Sequence, residues 1–209
     1  MNSDEIRALG FATMDDGEEL ARAEIYGLLA RLWFSPPDDE LMQQFKVAVT
    51  QAPQSGAFLE APWEAMVATF RELDRSAIAR EYDALFHGVG RPEVFLYGSY
   101  HLSGYLNDKP LAALRVDLAD LGLARDDSRG ETEDHVAFVF EVMRYLIAGD
   151  DVSVCNLTQQ SGFFSRHLQP WVSRLCQALS AHPRAVFYGR LAALAEAFVS
   201  VEAQGFDLL

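Results

Sequence analysis

The chain has 209 residues, with 17 Lys and Arg against 31 Asp and Glu, so its formal net charge is −14. Half of the residues are hydrophobic and 23% are charged, a composition that buries a core and excludes a disordered chain. The acidity excludes duplex nucleic acid and anionic membrane as default partners, because both repel such a surface; it suits cationic partners, or serves solubility alone.

The N-terminus, Met1-Asn2-Ser3-Asp4-Glu5, carries acids where an export signal needs bases, and residues 1–16 are expected to be a flexible N-terminus. Ile25, Leu28, Leu29 and Leu32 follow the i, i+3, i+4, i+7 rule of one helix face. Asp15 with Glu18, or Asp16 with Glu19, suits the start of that helix, and Ser35-Pro36-Pro37 stops it. A short helix from about Asp38 carries Leu41, Phe45 and Val49; a third carries Trp63, Met66, Val67 and Phe70. Ile78, Tyr82, Leu85 and Phe86 mark a fourth, ending at His87-Gly88.

The helical period then stops. His87 to Asp108 contains Gly88, Gly90, Pro92, Gly98 and Gly104, and a punctuated stretch of that length within a helical chain reads as a functional loop, taken as 87–109. Helix resumes after Pro110 with Leu111, Leu114, Leu118 and Leu121, and Gly122 is placed as its C-terminal stop. Thr132 is placed as the cap of the next helix, with Glu133 and Asp134 at the positive end of its dipole and Val136, Val139, Met143 and Leu146 on its buried face. Phe163, Phe164, His167 and Leu168 lead to Pro170, which either kinks that helix or opens the next. The last helix is expected from about Pro183, with Phe187, Leu191, Leu194, Phe198 and Val201 on one face. The expected fold is all-α: a single helical bundle over residues 1–209 with one long irregular central loop.

Catalytic signatures are weak. The two cysteines, Cys155 and Cys176, lack metal-ligand company and basic neighbours. Gly88-Val89-Gly90 is followed by Arg91-Pro92 rather than the ending of a phosphate loop. Glu131 lies one helical turn before His135, but no duplicated Glu-x-x-His accompanies it. The residues alone suggest no cofactor and no enzyme; Tyr97, Tyr100 and Tyr105 in the loop suit the binding of a peptide or protein.

Three blocks carry a resemblance. Glu81-Tyr82-Asp83-Ala84-Leu85-Phe86, followed by Gly88-Val89-Gly90-Arg91-Pro92 and Tyr97-Gly98-Ser99, is similar to the central block of the TorD/DmsD family. Glu131-Thr132-Glu133-Asp134-His135 stands where that family has Glu-Pro-x-Asp-His, and Phe163 to Trp171 resembles its C-terminal Phe-x-x-His-Leu-x-Pro-Trp block. Two departures stand out. Phe95-Leu96-Tyr97 replaces the two prolines before the aromatic, and Gly98 and Thr132 stand where the family commonly has an acid and a proline.

The resemblance implies a cytoplasmic, non-enzymatic, all-helical chaperone without a cofactor, monomeric or homodimeric. Its partner would be a molybdenum-containing oxidoreductase subunit, bound through its twin-arginine signal peptide, its apo form or both, and held for cofactor insertion before export. No nucleic acid and no membrane insertion are implied. The binding residues carried over are Tyr82, Leu85, Phe86, Pro92, Tyr97, Ser99, Asp134 and His135. Beside them Glu81, Glu131, Glu133 and Asp134 are candidate acceptors for guanidinium groups. A nitrate-reductase-type assembly chaperone is the near alternative. A helical metal-dependent hydrolase using Glu131, Asp134 and His135 is the alternative of another class.

Overall fold

The computed structural model describes residues 14–47, 59–88, 90–126 and 130–208. Its α-helices are α1 (Met14–Phe34), α2 (Asp39–Val47), α3 (Glu60–Glu72), α4 (Arg75–Tyr82), α5 (Gly98–Ser103), α6 (Lys109–Asp120), α7 (Val136–Ala148), α8 (Leu157–Phe163), α9 (Gln169–Ser180) and α10 (Phe187–Asp207). Two π-helical turns, Asp83–His87 and Phe164–Leu168, continue α4 and join α8 to α9. Among the described residues no strand forms, and a lone antiparallel bridge pairs Tyr97 with His135. The fold is all-α, as the periodicity indicated.

α1 begins inside the segment expected to be flexible; the remainder of that segment, the acid caps assigned to Asp15 and Asp16, and Val49 lie outside what the structure describes. Asp74 caps α4 by accepting from Ala77 N–H at 2.7 Å. Pro110 stands in the first turn of α6, where its missing N–H costs nothing. Gly122, at φ +70°, ends that helix in a Schellman motif: its N–H donates to Ala119 O (3.0 Å), and Leu123 N–H donates to Leu118 O (2.8 Å).

Three expectations are corrected. Thr132 does not cap the helix after it. His135 does, its Nδ1 accepting from Ala137 N–H at 3.2 Å, so Glu133 and Asp134 precede α7 instead of filling its first turn. The last helix starts at Phe187, not near Pro183, because a turn through His182 and Ala185 comes first (Ala185 N–H to His182 O, 3.1 Å). The loop expected over 87–109 is interrupted by the six residues of α5, too short for a period to show. At Pro170 the two open alternatives resolve together: the π-helical turn disposes of the preceding ladder, and the proline then sits in the first turn of α9.

One buried cluster runs through α1 to α4, α6, α7, α9 and α10. α7 lies along α1, and α10 packs against α9 and α3. Phe45 stacks on Phe70 (4.0 Å between centroids), and Phe187 meets Phe70 edge-on at 5.0 Å. Trp33, Phe86 and Tyr188 close the core beneath the central segment.

Candidate functional site

The stretch between the end of α4 and α5 is held on both sides. The Leu85 carbonyl, released from the helical ladder at the π-helical turn, accepts from Glu93 and Val94 N–H at 2.9 and 3.1 Å. On the other side the chain pairs with the entry to α7: Gly98 N–H donates to Asp134 O (2.9 Å) and Val136 N–H to Leu96 O (2.8 Å). Asp134 is buried, and its carboxylate accepts from Ser99 N–H (2.8 Å) and from the Thr132 hydroxyl (2.7 Å). A segment this rich in glycine is thereby ordered by backbone pairing rather than by its own propensity.

Between these two attachments lies a cavity of about 250 Å³. Phe34, Tyr82, Phe86, Pro92, Phe95, Tyr97 and His135 supply aromatic and apolar walls, and Glu131 supplies a carboxylate. The Tyr97 hydroxyl donates to the Glu131 carboxylate, and the Tyr97 ring meets the His135 ring edge-on at 5.3 Å. Among the described residues no Lys or Arg forms an ion pair with the Glu131 carboxylate. Outside the cavity, the Arg91 guanidinium already lies over the Phe95 ring at 5.2 Å and donates to the Tyr100 hydroxyl at 3.2 Å.

The residues carried over by resemblance divide into two groups. Tyr82, Phe86, Pro92, Tyr97, Glu131 and His135 converge on this cavity. Leu85, Ser99 and Asp134 do not line it. Leu85 is a fully buried core residue, and Ser99 is buried at the start of α5 with its hydroxyl unpartnered among the described residues. Asp134, with each oxygen accepting one hydrogen bond, braces the loop. Two further acids are also committed elsewhere: Glu81 accepts from Phe187 and Tyr188 N–H (3.0 and 2.8 Å) at the N-terminus of α10, and Glu133 forms a two-point pair with Arg115 (3.0 and 2.9 Å). Of the four candidate acceptors, Glu131 is the one that lines this cavity.

Among the described residues no group of three or more His, Cys, Asp and Glu is placed to hold a metal ion. Glu131, Asp134 and His135, though adjacent in sequence, each turn to a different partner.

Burial sets the protonation states here. It raises the Tyr82 phenol to about 12, and burial together with the Glu131 carboxylate raises Tyr97 well above the usual tyrosine range. Burial lowers the His135 imidazole to about 4, against the opposing pull of Glu131 and Asp134. His135 is neutral at pH 7, with Nδ1 accepting and the proton on Nε2. A folded-state value below the unfolded one means that this stability is present above about pH 6.5 and is lost as pH falls toward 4. Urea unfolding at pH 7.5 and at pH 5 is expected to differ by about 2 kcal/mol from this group alone, a gap that His135→Asn should abolish.

Sequence reasoning missed Phe34, the last residue of α1, and Val94, hidden in an irregular loop. It also missed what joins the first and third blocks. Gly98 lies against the Trp171 ring, where an added Cβ would come within 3.0 Å of Cε2.

Residues 53–177 match the protein family described as nitrate reductase delta subunit. The chain belongs to that family. It is similar to the chaperone protein TorD of Vibrio cholerae serotype O1 (classical Ogawa strain), 27% identical over 204 residues that cover 90% of this chain and 93% of the relative. It is also similar to the chaperone protein TorD of Photobacterium profundum, 24% identical over 200 residues that cover 91% and 85% of the two chains. The family is one of maturation chaperones for redox enzymes, not of catalysts, and its members imply a redox-enzyme partner. Among the described residues no helix is long and apolar enough to cross a membrane.

Proposed function

We propose that this chain is a cytoplasmic chaperone that binds the twin-arginine signal peptide, the apo form, or both, of a molybdenum-containing oxidoreductase subunit, holding it for cofactor insertion before export. The supporting observation is the cavity beneath Tyr97: an aromatic enclosure with one carboxylate, Glu131, and, among the described residues, no cation in an ion pair with it. Such an enclosure fits a guanidinium, which offers a planar fork of donors to a carboxylate and a flat face to aromatic rings.

A synthetic twin-arginine leader should bind, and binding should weaken as salt rises, because a charge pair at a partly exposed site is screened. Glu131→Gln is expected to reduce affinity about tenfold, equivalent to about 1.4 kcal/mol, with the helical circular-dichroism spectrum unchanged. Equal affinity of the variant and the parent by fluorescence anisotropy would remove Glu131 from the site. Affinity capture from the native cytoplasm identifies the client. A molybdoenzyme subunit carrying its leader supports the proposal; a leaderless subunit supports the nitrate-reductase-type assembly role.

A further inference from the structure

The cap of α7 decides what the cavity beneath Tyr97 can still bind. His135 is 4% exposed and lines that cavity. Its Nδ1 accepts from Ala137 N–H at 3.2 Å, so that nitrogen carries no proton. The ring proton is therefore fixed on Nε2, on the far side of the imidazole, and among the described residues no acceptor meets it. The Tyr97 and Phe34 rings stand edge-on to it at 5.3 and 6.2 Å, and aromatic rings are weak acceptors. A buried N–H without a protein partner is rare, and at a cavity wall it marks a place where something else supplies the acceptor. Water can fill that role until a ligand displaces it; the ligand must then bring an acceptor of its own or leave the N–H stranded.

The two tyrosine hydroxyls of the same walls spend their protons within the protein, Tyr97 on Glu131 and Tyr82 on the Phe34 carbonyl at 2.7 Å. The cavity thus presents two opposite needs: a carboxylate that takes donors, and an imidazole N–H that takes an acceptor. A guanidinium carries five N–H donors and no acceptor. It satisfies Glu131 and leaves His135 unpaired, with a cation set against an N–H dipole. The guanidinium alone therefore fits half of the site.

Resting on the reading of this cavity as an arginine site, we infer that it recognises two groups of one peptide segment: a guanidinium at Glu131, and a main-chain carbonyl that accepts from His135 Nε2–H. The carbonyl follows from the chemistry of the ligand, because an amide oxygen is the strong acceptor that every residue of a peptide carries. His135 then sets specificity. It favours an arginine held within a chain over a guanidinium alone, and the bond that starts α7 is what points the ring's donor, not its acceptor, at the ligand.

The test compares two monocations of equal charge, N-acetylarginine N-methylamide and butylguanidinium, the second lacking any carbonyl. Titrations of the unaltered, histidine-15N-labelled chain are followed by NMR. The amide compound is expected to bind about fivefold more tightly, the ratio one hydrogen bond supplies, and to move the His135 Nε2–H resonance, which butylguanidinium leaves in place. His135→Ser retains a capping hydroxyl for α7 and withdraws the donor, so the ratio should fall to under about twofold. Glu131→Gln should weaken both compounds alike. A ratio near one in the unaltered chain, an unmoved Nε2–H resonance, or a ratio that persists in His135→Ser overturns the carbonyl contact; the arginine site still stands if binding depends on Glu131. Neither compound binding, or both binding without dependence on Glu131, overturns the reading beneath it as well.

Discussion

Glu202→Ala is expected to lower the melting temperature by about 10 °C, corresponding to about 3–5 kcal/mol in a chain of this size. Glu202 is 6% exposed on α10, and its two oxygens take Arg22 Nε at 2.7 Å and Nη2 at 2.8 Å, the two-point geometry that makes such pairs strong. The fully buried Tyr26 also donates its hydroxyl to Glu202 at 3.0 Å, and burial with this carboxylate raises Tyr26 well above its ordinary value. Removing the carboxylate leaves a largely buried guanidinium whose remaining side-chain acceptor in this cluster is Gln160 at 3.3 Å, and a buried phenol without its partner. The cost is that of stranding a charge, not the net worth of the pair, so the double change Arg22→Met with Glu202→Leu should recover most of the loss. Glu202 does not line the cavity beneath Tyr97, so the leader affinity proposed for that cavity should hold in the folded protein while thermal unfolding shifts. A shift below about 2 °C for Glu202→Ala would mean that Arg22 reaches water freely.

That pair also shows where the sequence stops being legible. Helix positions were readable because apolar residues recur on one face: Ile25 to Leu32, Trp63 to Phe70 and Phe187 to Phe198 all lie within helices of the structure. Contacts across 180 residues, such as Arg22 with Glu202, have no local signature, since either side chain on a helix surface is ordinary. The acids of the candidate site failed for a related reason. Asp134 next to Glu133 before a helix reads as a first-turn charge, but the backbone pairing of Tyr97 with His135 delays α7 by three residues and draws Asp134 inward. Glu81 looked free in sequence, and the N–H groups at the start of α10 claim it. Resemblance supplied the candidate residues; only the hydrogen bonds distinguish Glu131, which meets the Tyr97 hydroxyl at the cavity, from Glu81, Glu133 and Asp134, which are bonded elsewhere.

Gly98→Val is expected to cost about 3 kcal/mol and to weaken leader binding together with stability. Gly98 opens α5, where its φ is not positive, so backbone freedom is not what requires glycine. On propensity alone a larger residue would favour the helix, Ala by about 1 kcal/mol. Packing reverses the sign. A Cβ at Gly98 would meet Trp171 Cε2 at 3.0 Å and Nε1 at 3.1 Å, and the indole cannot retreat. Its Nε1 donates to His167 O at 2.6 Å, and the His101 ring stacks on it, tilted by 16° at 5.7 Å. Forcing the ring and the backbone apart pulls on Gly98 N–H to Asp134 O and on Ser99 N–H to the Asp134 carboxylate, the bonds that hold Tyr97 against Glu131. Loop position and cavity shape are therefore coupled to the C-terminal block through one contact. Combining Gly98→Val with Trp171→Leu should restore part of the lost stability, whereas Trp171→Leu alone should destabilise by leaving a void. Strict additivity of the two losses in denaturant melts would separate the two residues and remove this link between the loop and α9.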